Sequence, residues 1–124
     1  MQPHELLAKA KTEGITALAL TDINATSANW DFVRDAPEYG IRPVLGIDFR
    51  NASTDRDPAG TPLYIGYARN NTGYANLCAH LNAHLHTHQP FEPVAPVLEH
   101  TFIVYPWARW KHTRHPLLSN EYIG

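Results

Sequence analysis

Apolar positions along the chain change period several times, and each change marks an element. Leu6, Leu7 and Ala10 recur at helical spacing behind Pro3, which suits a first helical turn, and Gly14 stands where a C-cap glycine belongs. Residues 15–20 (ITALAL) then read as a short buried strand that ends at Thr21-Asp22. Turn formers at 24–27 supply N-cap candidates for a second helix marked by Trp30, Phe32 and Val33, which Pro37 ends or kinks and Gly40 closes. Residues 43–49 (PVLGIDF) are the next strand, and residues 51–62 (NASTDRDPAGTP) have no period and read as a surface loop. Residues 63–68 (LYIGYA) are a third strand. No helix separates it from the second, so an antiparallel return is favoured at least as much as a parallel crossover. The strongest helix starts at Thr72, with Tyr74, Leu77, Cys78, Leu81 and Leu85 on one face. Pro90, Pro93 and Pro96 make a stiff connector to a fourth strand at 101–105 (TFIVY). About four strands and three helices in alternation define an α/β sheet.

Composition narrows the class. A chain of 124 residues suits one domain or a piece of one, and 44% hydrophobic with 18% charged residues is ordinary globular material. Ten Lys+Arg against twelve Asp+Glu give a formal charge of −2, which argues against a polybasic nucleic-acid binder acting through phosphates alone. The single cysteine, Cys78, excludes an internal disulfide and a four-cysteine zinc site, and suits a reducing cytoplasm. No apolar run reaches the length of a membrane span, and the opening residues lack the basic-then-apolar order of a signal peptide. The expectation is a cytoplasmic protein with no membrane partner.

Three constellations carry candidate chemistry. His80 and His84 share a helix face at the spacing of a zincin motif, but Leu81 stands where that motif needs its glutamate. The alternative for these and for His86 and His88 is a solvated helix end, where cations favour the negative pole of the dipole. Residues 105–115 (YPWARWKHTRH) interleave Trp107 and Trp110 with Arg109, Lys111 and Arg114 and hold no acid. That composition fits a single-strand stacking surface, and equally a loop that packs its tryptophans on its own domain. Asp22 follows the first strand and Asp48 lies near the end of the second, where ligands gather in α/β sheets. Either the two carboxylates face one site, or Asp22 caps the following turn and Asp48 is a solvated strand end.

At these residues the chain resembles a known family. Residues 17–22 (ALALTD) look like the second motif of the PHP (polymerase and histidinol phosphatase) domain, and residues 40–48 (GIRPVLGID) resemble its next strand, G-I-x-P-(apolar)-(apolar)-G-x-E. Residues 63–77 (LYIGYARNNTGYANL) are similar to the H-L-x-L-L-A-K-N-x-x-G-Y-x-N-L segment of the polymerase branch, and Tyr105-Pro106 with residues 120–124 resemble later segments. The resemblance implies the N-terminal PHP domain of bacterial DNA polymerase III alpha subunits. Residues 1–124 would then be a fragment of a distorted (β/α)7 barrel, without its first strand and C-terminal part.

In active members of the family, histidines and acids hold divalent metals such as zinc or manganese for phosphoester cleavage. Carried over by motif, the family's T-D-H becomes Thr21-Asp22-Ile23, its G-x-E becomes Gly46-Ile47-Asp48, and the histidine opening the third strand becomes Leu63. Only Asp48 keeps ligand chemistry, with Asp22 beside the lost histidine, so the resemblance implies a degenerate metal site. No catalytic residue and no cofactor are expected in this segment, since the parent's magnesium-binding palm lies elsewhere. The implied role is scaffolding in a DNA-directed DNA polymerase, with the remainder of that chain, a proofreading subunit and DNA as partners. Two rivals remain: a metal-dependent phosphoesterase or proofreading exonuclease, and a small module that binds single-stranded DNA or protein through Arg109, Trp110, Lys111 and Arg114.

Overall fold

A computed structural model describes residues 3–26, 29–51 and 61–124. The elements run α1 (Pro3–Thr12), β1 (Ala17–Ile23), α2 (Asn29–Asp35), a short 3-10 helix (Ala36–Tyr39), β2 (Arg42–Asn51), β3 (Thr61–Ala68), α3 (Asn71–Thr87), β4 (Thr101–Tyr105), α4 (Trp107–Thr113) and β5 (Glu121–Ile123). Five strands in the order β1-β2-β3-β4-β5 make one mixed sheet, parallel at its two ends and antiparallel through the middle. The predicted element order holds, and the return from β2 to β3 is antiparallel.

Two counts change. There are four α-helices rather than three, because α4 forms within the segment read as a basic loop. There are five strands rather than four, because residues 121–123 pair with β4. β1 begins at Ala17 rather than at Ile15, which is exposed, and Trp30 is three-quarters exposed while Phe32 alone of the α2 apolar residues is buried. Pro37 ends α2 by shifting the chain into the 3-10 turn, and Gly40 closes that turn at φ 69°, a left-handed value glycine adopts without strain. Most of the predicted loop at 51–62 lies outside the described residues; its last two residues, Thr61 and Pro62, belong to β3.

Register alternation assigns every strand residue to a face. One face carries Leu18 and Leu20 of β1, Leu45, Ile47 and Phe49 of β2, Tyr64 of β3, and Ile103 and Tyr105 of β4. Two apolar clusters cover it. Leu7, Ala10, Phe32, Ala36 and Ile41 pack on Leu18, Leu20 and Leu45, while Leu77 and Leu81 of α3 pack with Ile47, Phe49, Tyr64, Ile103 and Tyr105. Of the α3 face predicted from spacing, Leu77 and Leu81 are buried, Tyr74 and Cys78 half-buried, and Leu85 exposed. The opposite face carries Ile23, Asp48, Ile65, Tyr67, Phe102, Val104 and Tyr122, none of which belongs to either apolar cluster.

Candidate functional site

The two carboxylates singled out at the strand ends are brought close in register but not onto one face. Asp22 pairs with Ile47 and Asp48 pairs with Ile23 across the parallel β1–β2 ladder. Paired residues point the same way, so Asp22 lies on the helix-covered side and Asp48 on the opposite side. Of the two alternatives the sequence left open, the register therefore does not bring the carboxylates onto one face. The position where the family motif has an imidazole, Ile23, is the direct cross-strand partner of Asp48 and is 48% exposed.

Asp48 has a partner of its own. Arg50, two residues on, donates from Nε to Oδ1 at 3.2 Å and from a terminal nitrogen to Oδ2 at 3.1 Å. The two side chains are only 22% and 14% exposed, and a partly buried two-pronged guanidinium–carboxylate contact is among the stronger polar pairings available. Asn24 fixes the backbone beneath it, accepting from the Arg50 N–H at 3.0 Å and donating to its carbonyl at 2.7 Å. Leu63, the other position of a family histidine, falls at the irregularity in the β2–β3 ladder and is 2% exposed within the α3 cluster. Among the described residues no three histidine, cysteine, aspartate or glutamate side chains converge as a metal site would require.

The histidine pair on α3 serves the core instead. His80 Nε2 lies 2.6 Å from the Tyr64 hydroxyl, and its ring packs among Phe49, Phe91 and His84. Burial, helped by the nearby His84, pulls the His80 pKa down to about 4, and burial pushes that of Tyr64 up. His84 Nδ1 faces the carbonyls of Gln89 and Pro90 at 3.2 and 3.1 Å, which ties the helix end to the proline-rich connector.

A pH dependence follows. The unfolded ring titrates near 6.5, so the stability from keeping His80 neutral is complete above that pH and is lost as the pH falls toward 4. Below 6.5 the unfolded chain takes up a proton that the folded ring refuses. Because the ring is only half-buried, the loss between about pH 7 and pH 4.5 is on the order of 1 kcal/mol. Unfolding free energies from urea melts at the two pH values should diverge by that amount more in the wild type than in His80→Gln. Equal acid sensitivity of the two proteins would contradict the assignment.

The basic segment is a helix and its connection. Arg109, Lys111 and Arg114 are exposed, and none of them forms an ion pair among the described residues. Trp110 turns inward, packing against the α3 cluster and donating from its ring nitrogen to the His115 carbonyl at 3.2 Å. Trp107 stays 53% exposed and stacks on Trp110, with centroids 5.8 Å apart and planes at 28°.

The N-x-x-G-Y-x-N-L run, which carried the most specific resemblance, does structural work at every fixed residue. Asn70 caps α3 by accepting from the Gly73 N–H at 2.9 Å. Gly73 lies against the His100 carbonyl, which itself accepts from Arg69 N–H. The Tyr74 hydroxyl accepts from Asn29 of α2 at 2.8 Å, Asn76 donates to the Glu99 carbonyl at 2.9 Å, and Leu77 is fully buried. One feature escaped the sequence reading altogether. Glu121, 6% exposed, accepts from the Tyr105 hydroxyl and from Leu118 N–H, both at 2.8 Å, and Tyr105 in turn accepts from Ala95 N–H at 2.9 Å.

Residues 1–103 match the PHP domain, and the chain belongs to that family. Among its relatives is the DNA polymerase III subunit alpha of Vibrio cholerae serotype O1, 34% identical over 100 residues that make up 77% of this chain and 8% of the relative. The DNA polymerase III subunit alpha of Xylella fastidiosa (strain Temecula1) is 38% identical over 72 residues, 58% of this chain and 6% of that protein. An error-prone DNA polymerase of Ralstonia nicotianae is 37% identical over 78 residues, 61% of this chain and 7% of its own length. The chain thus spans less than a tenth of the length of these relatives. No helix among the described residues is long and apolar enough to cross a membrane.

Proposed function

We propose that this chain is the PHP-domain segment of a cytoplasmic DNA polymerase III alpha subunit, one whose metal site is degenerate and whose role is to buttress the polymerase or dock a proofreading subunit. The observation that carries the reading is the Asp48 carboxylate, engaged by the Arg50 guanidinium and set opposite Ile23. A cation entering there would have to displace a fixed guanidinium and would find an alkyl group where an imidazole is needed. Leu63, buried in the core, removes a further donor. Template-directed synthesis would rest on carboxylates elsewhere in the parent, and this segment would contribute shape and surface.

Metal content and hydrolysis test the proposal together. Tag-free protein is expected to carry well under one zinc, manganese or iron per chain, and to leave a phosphodiester reporter intact with manganese added. Two or more tightly held metals, with turnover abolished by Asp48→Ala, would overturn the degenerate-site reading. The coding region on either side tests the parent. A continuation into a polymerase domain is expected, and a stop codon shortly after codon 124 counts against it.

A further inference from the structure

We propose that α4 and the turn after it form a contact surface for single-stranded DNA, with Trp107 as a stacking platform and Arg109, Lys111 and Arg114 as phosphate contacts. The indole is built into the fold as a platform would be. Trp110 is anchored by its packing against the core and by its bond to His115, and Trp107 stacks on that fixed ring, so one face is supported while half its surface stays in solvent. The helix holding both is tied to the fold at its start, by Trp107 N–H to the Gly124 carbonyl at 2.9 Å, and its last turn is closed by Arg114 N–H on the Trp110 carbonyl at 2.8 Å. From Tyr105 to Asn120 the sequence has no acid. The three cations of the same segment are exposed and form no ion pairs among the described residues, so this part of a mildly acidic chain is locally positive.

The pairing of groups selects the ligand. Cations alone would serve an acidic peptide as well, but a supported, exposed indole beside them offers a π-face that a base can stack on and a carboxylate cannot. The bases of a duplex are stacked on each other and out of reach, which leaves the single strand. The choice of DNA over RNA rests on the polymerase reading above. That reading fails on the coding region to either side, which oligonucleotide binding does not touch.

Fluorescence anisotropy of a labelled twelve-residue oligothymidylate on the full chain tests this, with quenching of tryptophan emission as a second signal. Trp107→Ala should weaken binding about ten-fold, the scale of one lost base stack. With three phosphate contacts, the slope of log affinity on log salt should be about −2, and Lys111→Gln should flatten it by about 0.7. Both side chains are exposed, and circular dichroism confirms that each variant folds. Four outcomes would overturn the proposal: affinity within two-fold of wild type in Trp107→Ala, a salt slope unmoved by Lys111→Gln, an oligoglutamate or duplex competing as well as the single strand, or oligouridylate binding more tightly than oligothymidylate.

Discussion

Gly73→Ala is expected to destabilise the protein by about 2–3 kcal/mol, although the same exchange at an open helical position adds stability. Alanine is the better helix former by nearly 1 kcal/mol, so propensity alone predicts a gain. The obstacle is space. A Cβ on Gly73 would overlap the His100 carbonyl, a backbone group that cannot swing aside as a side-chain tip does. His100 itself sits at φ 61°, a left-handed conformation already unfavourable for a residue with a Cβ, and its oxygen holds the Arg69 N–H at 3.0 Å. Relieving the overlap means moving α3 off the sheet or breaking that connection. A urea or thermal melt decides the sign, with Ala75→Gly on the exposed side of the same helix as the propensity control. Stability equal to or above wild type in Gly73→Ala would show that the approach is not tight.

Tyr105→Phe should cost a further large amount, about 2–3 kcal/mol, for the loss of one oxygen. The ring is 1% exposed and would stay packed against Tyr64. Its hydroxyl joins two groups that cannot reach water, receiving the Ala95 N–H and donating to Glu121. Without it an amide is left unmatched and a buried carboxylate keeps the Leu118 N–H but loses the Tyr105 hydroxyl, which costs more than the bond itself contributes. For a chain of this size the midpoint should fall by roughly 10 °C. Removing Glu121 as well, as Glu121→Leu in the phenylalanine background, should recover part of the loss, because the stranded charge goes with it. Strict additivity of the two substitutions would mean that the network is not one unit.

How much of this was legible beforehand depends on the range of the interaction that fixes each feature. Leu77 and Leu81, Phe32 with the Pro37 break, and residues 101–105 are set by local spacing and turn chemistry, and each appears where the pattern puts it. α4 was missed because its seven residues offer barely two turns of period, and its N-cap, Pro106, makes no side-chain bond. β5 is only three residues long and exists through its pairing with β4. The positions of Asp22 and Asp48 at strand ends were readable, but their faces were not. Register between two strands is a long-range property, and a shift of one residue reverses every side chain. Arg50 could have been suspected from its i+2 spacing to Asp48 on a strand, since residues two apart share a face. Nothing local connects Glu121 to Tyr105 and Ala95.

The division of the core along β2 has a consequence for how the chain is made. The first cluster draws only on residues between Leu7 and Leu45, and the second only on residues between Ile47 and Trp110, so each is continuous in sequence and the boundary falls within one strand. The β1–β2 ladder joins residues 25 apart, as from Ala17 to Arg42, whereas β3 and β4 join residues 33 to 39 apart, as from Ala68 to Thr101 and from Ile65 to Val104. Shorter loops close at lower entropic cost, and β2 and β3, whose partners are only 10 to 21 residues apart, pair most readily once β3 has emerged. During synthesis at roughly 5–20 residues per second, the helices and strands of the first cluster emerge several seconds before the last strands of the second. β2 would then stand as a preformed template, one edge satisfied by β1 and the other awaiting β3, and assembly on the ribosome would run in the direction of translation.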